Sequence, residues 1–214
     1  MRYDLVIFDN DGVLVDSEPL ANQVLSEYLT ELGHPTSYEE SLRDYMGSAV
    51  HRVHDIIRER TGRQLPAEFD ETLHARTFHV FEQQLQPVKG AAELLEYLVA
   101  EGVSYCVASS GTHERISVGQ RKAGLDEWFE EEWIFSVDDV GQGKPAPDLF
   151  LHAARSMGVE PDRCVVIEDS PLGVEAAIAA GMDVFGFTSM TPADRLSAAT
   201  AVFTDLGDLP RLLA

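Results

Sequence analysis

The chain has 214 residues, of which 44% are hydrophobic and 25% charged, enough for one large domain or for a domain carrying a smaller one. Its 37 acidic against 16 basic residues give a formal net charge of −21, which leaves no basic stripe for nucleic acid or anionic lipid. An anionic substrate would be repelled at long range, so its site would have to supply a cation of its own. No apolar stretch approaches membrane-spanning length, and the chain runs into its first apolar segment without a basic leader and cleavage site, so a cytoplasmic protein is expected.

Leu5–Phe8 is short, continuously apolar and rich in β-branched and aromatic residues, which predicts a parallel strand buried on both faces. It stops at Asp9-Asn10-Asp11-Gly12. Ligands of open α/β sheets bind beyond the carboxyl ends of strands, so this acidic turn is a candidate site. Two carboxylates two residues apart repel unless a cation or a shared proton holds them. Oxygen donors with no Cys or His nearby favour Mg²⁺ over Zn²⁺.

From Ser17 to Gly33 the apolar positions Leu20, Val24, Leu25, Tyr28, Leu29 and Leu32 recur at helical spacing. Further helices are predicted around Tyr38–Tyr45, over Ala49–Arg60 and from Pro66 to Leu85. No strand is predicted between Ser17 and Pro87, so residues 17–86 read as a helical cap domain inserted after the first strand. After Pro87 strand and helix alternate, as βαβ units do. Helix Gly90–Glu101 precedes strand Ser104–Ala108, which ends at Ser109-Ser110-Gly111-Thr112, and a helix runs to Gly124. Strand Trp133–Ser136, the loop Gly143-Lys144-Pro145 and a helix through Met157 follow. Strand Arg163–Ile167 ends at Glu168-Asp169-Ser170 before an Ala-rich helix to Gly181. Strands Asp183–Phe187 and Ala201–Phe203 and a short helix near Leu209 close the chain. The fold class is therefore α/β, a Rossmann-like parallel sheet with helices on both faces, built from residues 1–16 and 87–214.

Polar clusters thus fall at four places on one rim: Asp9/Asp11, Ser109, Lys144 and Glu168/Asp169. Alone, each has an ordinary explanation: Ser109 as a helix cap, Lys144 as a solvated loop charge, Glu168-Asp169 as acids at a helix start. Their order on a single sheet edge points to a site. In that order the segments Phe8-Asp9-Asn10-Asp11-Gly12, Ala108-Ser109-Ser110, Gly143-Lys144-Pro145-Ala146-Pro147-Asp148 and Ile167-Glu168-Asp169-Ser170 resemble the motifs of the haloacid dehalogenase-like hydrolase superfamily, in its helical-cap branch. The resemblance covers nearly the whole chain from Asp4.

The resemblance implies Asp9 as a nucleophile forming an aspartyl phosphate, and Asp11 as general acid and then base. It implies Ser109, Ser110 and Lys144 as phosphate-binding groups. Mg²⁺ would be held by the Asp9 carboxylate, the Asp11 main-chain carbonyl and Asp169, with Glu168 acting directly or through water. Halide displacement needs neither metal nor general acid, so phosphate chemistry is preferred. The expected function is a Mg²⁺-dependent phosphatase for a small phosphorylated metabolite, a sugar phosphate or a sugar acid phosphate such as 6-phosphogluconate. A sugar phosphomutase of the β-phosphoglucomutase type is the enzymatic alternative. That mutase has His, Lys and Arg on its cap where this chain has Ala21, Met46 and Val50. A phospho-receiver module is the non-enzymatic alternative, but it does not account for the helical insertion.

Ser17, Met46, Gly47 and His113 are candidate substrate or cap contacts, with specificity expected around Tyr45-Met46-Gly47-Ser48. His51 and His54 lack a third ligand and read as surface residues. Cys106 and Cys164 read as small buried hydrophobes rather than a disulfide or a metal pair. A monomer is expected, because a cap must open and close.

Overall fold

The computed structural model describes residues 2–46 and 50–214 and divides into two compact units, 1–16 with 86–214, and 17–85. In the first, six strands form one wholly parallel sheet in the order β3-β2-β1-β4-β5-β6. They are β1 (Leu5–Phe8), β2 (Ser104–Ser109), β3 (Ile134–Ser136), β4 (Cys164–Glu168), β5 (Asp183–Phe187) and β6 (Ala201–Phe203). The long buried strands are central and the two three-residue strands are the edges, which leaves little unpaired backbone.

All four β1 residues are fully buried, as a continuously apolar strand covered on both faces must be. Leu5 and Ile7 join Cys106, Cys164, Val166 and Phe150 in one core on the sheet, each large aliphatic side chain contributing about 1.5–3 kcal/mol by leaving water. The thiols of Cys106 and Cys164 are free, and burial pushes that of Cys164 up to about 11 and that of Cys106 well above its usual value. Neither is a thiolate, and both pack as hydrophobes. The helices of this unit are α5 (Ala91–Glu101), α6 (His113–Ala123), α7 (Asp148–Ser156), α8 (Pro171–Ala179) and α9 (Leu209–Leu213).

The strand order reverses direction at β1: β2 and β3 lie to one side, β4 to β6 to the other. Such a switch point opens a crevice at the carboxyl ends of the flanking strands. The register pairs Phe8 with Val107 on β2 and with Ile167 on β4. The residues that follow all three strands therefore emerge side by side.

The second unit is all helical: α1 (Glu18–Glu31), α2 (Tyr38–Asp44), α3 (Val50–Thr61) and α4 (Phe69–Gln84). Leu25, Leu29, Val53, Ile57 and Phe69 make its core, with the Tyr28 and Phe69 rings stacked at 5.2 Å and the Arg76 guanidinium 4.2 Å over Tyr28. Ser37 and Glu40 form a reciprocal capping box that starts α2. Within the core Ser41 donates to Asn22 Oδ1 at 2.9 Å, which satisfies two otherwise costly polar groups. His54 lies 2.6 Å from Asp70.

Candidate active site

The β1 ladder extends one residue past the strand, where the Asp9 amide donates to the Ile167 carbonyl at 2.9 Å. This places Asp9 beside the end of β4, which carries Glu168. Gly12, at φ +77°, then reverses the chain, and its amide donates to the Val15 carbonyl at 2.8 Å. A side chain at Gly12 would meet both strain and the Asp169 carboxylate, which packs directly against this backbone. The turns after β1 and β4 are thus interlocked, and four carboxylates share one edge.

Lys144 makes that concentration of charge tenable. Its Nζ donates to Asp9 Oδ1 at 2.6 Å and to Glu168 Oε1 at 2.7 Å, with only 4% of the side chain exposed, and it lies 4.8 Å over the Phe150 ring. Burial disfavours the charged lysine, but Asp9 and Glu168 outweigh it and raise its pKa further. Burial pushes the Asp9 carboxyl up, Glu168 and Asp11 add to the rise, and Lys144 opposes it. Burial thus works against the Asp9 charge, which binding of a further cation would favour.

The second oxygen of Glu168 is also engaged: Oε2 accepts from the Ser170 amide at 2.7 Å and from its hydroxyl at 2.9 Å. Ser170 in turn accepts from the Gly173 amide at 3.1 Å and so caps α8. Gly173 is required because any Cβ there would collide with the Glu168 carboxyl. We expect Gly173→Ala to cost about 1–3 kcal/mol through overpacking. By displacing the carboxylate that anchors Lys144 it should also lower kcat by about 10–10²-fold. Thermal unfolding and steady-state rates measured together would check both.

On the β2 side Ser109 is buried and its hydroxyl accepts from the Gly111 amide at 3.1 Å, while Ser110 is exposed. Ser136, at the end of β3, donates to the Gly111 carbonyl at 2.7 Å, and Thr112 caps α6 by accepting from the Arg115 amide at 3.3 Å. The loop 109–112 is therefore pinned from two strands and presents a helix start toward the crevice, a usual seat for an anion. Arg115 lies in the first turn of α6, and its guanidinium donates to both oxygens of Asp11.

The structure thus brings together Asp9, Lys144 and Glu168, and sets Asp169 against the Asp11-Gly12 turn. His113 is paired instead with Asp139, 2.9 Å from its Oδ1, and Asp139 also accepts from the Ser136 amide at 2.8 Å. Burial works against the Asp139 anion, yet these two donors hold its carboxyl below the usual value. Met46 is buried; Ser17 is buried too, and its hydroxyl has no hydrogen-bond partner among the described residues. Gly47 and Ser48 lie outside the described residues. Arg115 escaped the sequence reading. A cavity of about 470 Å³ lined by Tyr105, Trp128, Trp133 and Met157 opens at the amino end of β2, the opposite edge, and contains none of these groups.

Among the described residues no three His, Cys, Asp or Glu side chains are arranged to hold a metal on their own. Glu168 is bonded to Lys144 and Ser170, and Asp9, Asp169 and main-chain oxygen at the Gly12 turn are further oxygen donors on this edge. An all-oxygen set of few protein ligands suits Mg²⁺, which keeps several of its waters.

A sheet of this topology with carboxylates at its switch point is compatible with a hydrolase of the haloacid dehalogenase type, and comparison with known proteins shows that class. The model for haloacid dehalogenase-like hydrolases matches residues 3–181, and the chain belongs to that family. It is a phosphoric monoester hydrolase. It is 30% identical over 214 residues to the 6-phosphogluconate phosphatase of Escherichia coli, covering 99% of this chain and 95% of that one. A haloacid dehalogenase-like protein of Agrobacterium tumefaciens superposes with a TM-score of 0.90 at 37% identity, covering 99% and 97% of the two chains. A family hydrolase of Deinococcus radiodurans, solved with bound phosphate and sodium, superposes with a TM-score of 0.84 at 34% identity, covering 100% and 96%.

Proposed function

We propose that this enzyme hydrolyses the phosphate monoester of a small metabolite, a sugar phosphate or sugar acid phosphate such as 6-phosphogluconate, through an aspartyl phosphate on Asp9. The observation that carries this reading is the Lys144 bridge between Asp9 and Glu168 at the switch point, two residues from Asp11. It supplies a nucleophile, a cation and an acid/base group within one crevice.

Asp9 attacks phosphorus and the bond to the leaving oxygen breaks, while Asp11 gives that oxygen a proton and releases an alcohol. Asp11 then takes a proton from water as the water oxygen bonds phosphorus and the bond to Asp9 breaks. Asp11 is thereby reprotonated, and the net reaction consumes one water per phosphate released. Ser109 and the amides of the 109–112 turn hold the phosphate oxygens, and Lys144 offsets repulsion between the phosphate and Asp9. Glu168 anchors Lys144. Asp9, Asp169 and the Asp11 main-chain oxygen would hold Mg²⁺, which when bound neutralises the phosphoryl group and the carboxylates around it.

Residues 17–86 would select the leaving group, with Ser17, Met46 and Gly47 as candidate contacts and His113 as one from the sheet unit. Ala21, Met46 and Val50 offer no charge-assisted bonds to a second phosphate, which favours transfer to water over mutase chemistry. We place the enzyme in the cytoplasm as a monomer.

A phosphate-release screen of sugar and sugar acid phosphates with Mg²⁺ tests the proposal. Many turnovers are expected, with activity lost to EDTA and restored by Mg²⁺, and Asp169→Ala should need far more Mg²⁺ or fail. Rapid isomerisation of β-glucose 1-phosphate with little phosphate released would favour the mutase. At most one phosphate per enzyme would mark a receiver, and full activity in metal-free buffer would overturn the metal assignment.

A further inference from the structure

Two cations at the carboxyl edge hold different carboxylates. Lys144 takes Asp9 and Glu168; Arg115 takes Asp11, with Nη2 donating to Oδ1 at 3.0 Å and Nε to Oδ2 at 3.3 Å. A guanidinium fork on both oxygens fixes a carboxylate in rotation as well as in place, which a point charge does not. The pair is largely shielded, with side-chain exposures of 27% for Arg115 and 18% for Asp11.

Arg115 is itself held. The Thr112 hydroxyl accepts from its amide and sets the first turn of α6. The Arg115 stem runs over Gly111, where a Cβ would lie only 3.2 Å from Arg115 Cδ. Gly111 in turn is fastened by Ser109 and Ser136. A chain of short contacts thus runs from the ends of β2 and β3 to the Asp11 carboxylate, which otherwise stands on a turn after β1.

We propose that Arg115 is a positioning residue for Asp11: its fork fixes the rotation of the carboxylate, and as the leaving-group oxygen, and later the attacking water, engages Oδ2 in place of the longer 3.3 Å bond from Nε, the bond from Nη2 to Oδ1 keeps the carboxylate in place. The inference rests on the reading of Asp11 as acid and base. Proton transfer requires heavy atoms within about 2.6–3.2 Å, so a carboxylate free to rotate loses rate in both half-reactions. Formation of the aspartyl phosphate from a good leaving group needs no proton and is unaffected.

The test uses the full chain with Mg²⁺, Arg115→Ala and Arg115→Lys, and two kinds of substrate. One is glucose 6-phosphate or 6-phosphogluconate, whichever the wild type turns over faster. The other is p-nitrophenyl phosphate, whose leaving group departs unprotonated. For the sugar substrate Arg115→Ala should lose on the order of 10²-fold in kcat with KM within about threefold. Arg115→Lys should recover part of that loss, and added guanidinium should partly rescue Arg115→Ala but not alter the wild type. The single-turnover rate of p-nitrophenol release should stay within about threefold of wild type, which a damaged fold or phosphate site would not permit. Equal losses in that rate and in sugar-phosphate turnover, or an unchanged kcat, would overturn the role given to Arg115. A wild type that releases no phosphate from any of these substrates would instead overturn the phosphatase reading beneath it.

Discussion

Asp9→Asn is expected to abolish turnover, by on the order of 10⁵-fold or more, as removal of a covalent nucleophile does. The substitution is close to isosteric, and the amide oxygen can still accept from Lys144, which also keeps its 2.7 Å bond to Glu168. Burial already opposes the Asp9 charge, so a neutral amide there should leave the melting temperature within a few degrees of wild type. Loss of chemistry is thereby separated from loss of fold. Asp11→Asn differs in kind: with p-nitrophenyl phosphate it should form the aspartyl phosphate and release one equivalent of p-nitrophenol, then stall for want of a base. Phosphate-release assays and acid-quenched mass spectrometry check both variants. Near-normal phosphatase activity in Asp9→Asn would remove the nucleophile from its assigned place.

The fold was legible where local pattern decides it. Leu5–Phe8 is apolar at every position because β1 is covered on both faces, and the strand and helix alternation after Pro87 follows directly from βαβ packing. Strand ends bearing Asp9, Ser109 and Glu168 could be read one by one, since polarity changes abruptly there. Which of them adjoin depends on strand order, which single-sequence periodicity does not encode; the motif resemblance supplied it. Glu168 shows a different gap. The motif resemblance implies that it acts on a metal directly or through water, but only the structure shows both oxygens bonded to Lys144 and Ser170. Arg115 was invisible for a similar reason: it sits one turn into α6 and acts through a long side chain directed across to the turn after a neighbouring strand. His113, two residues earlier, points to Asp139 instead.

The second large effect is expected at Lys144. Lys144→Ala would leave Asp9 and Glu168 facing each other where only 10% and 1% of their side chains reach water. Breaking a buried pair by removing one partner costs about 3–5 kcal/mol, because the remaining charge is uncompensated. Here two charges remain, and the simplest relief is one shared proton. The sign of the pH dependence follows. Asp9 is already raised by burial with Lys144 opposing the rise; without the lysine it would be raised further above the unfolded carboxyl value of about 3.9. Protons are then bound more tightly by the folded state, so the variant should be most stable at low pH and lose stability as pH rises through the folded pKa. Unfolding of metal-free Lys144→Ala at pH 5 and pH 8 should show a clear loss at the higher pH relative to wild type. Mg²⁺ should restore part of it by taking the place of the missing charge. Activity should stay at least about 10²–10³-fold below wild type at every pH if, as proposed, Lys144 is the cation that faces the phosphoryl group. A variant equally stable at both pH values, or one retaining near-normal turnover, would show that Lys144 is a peripheral charge and that another group compensates Asp9.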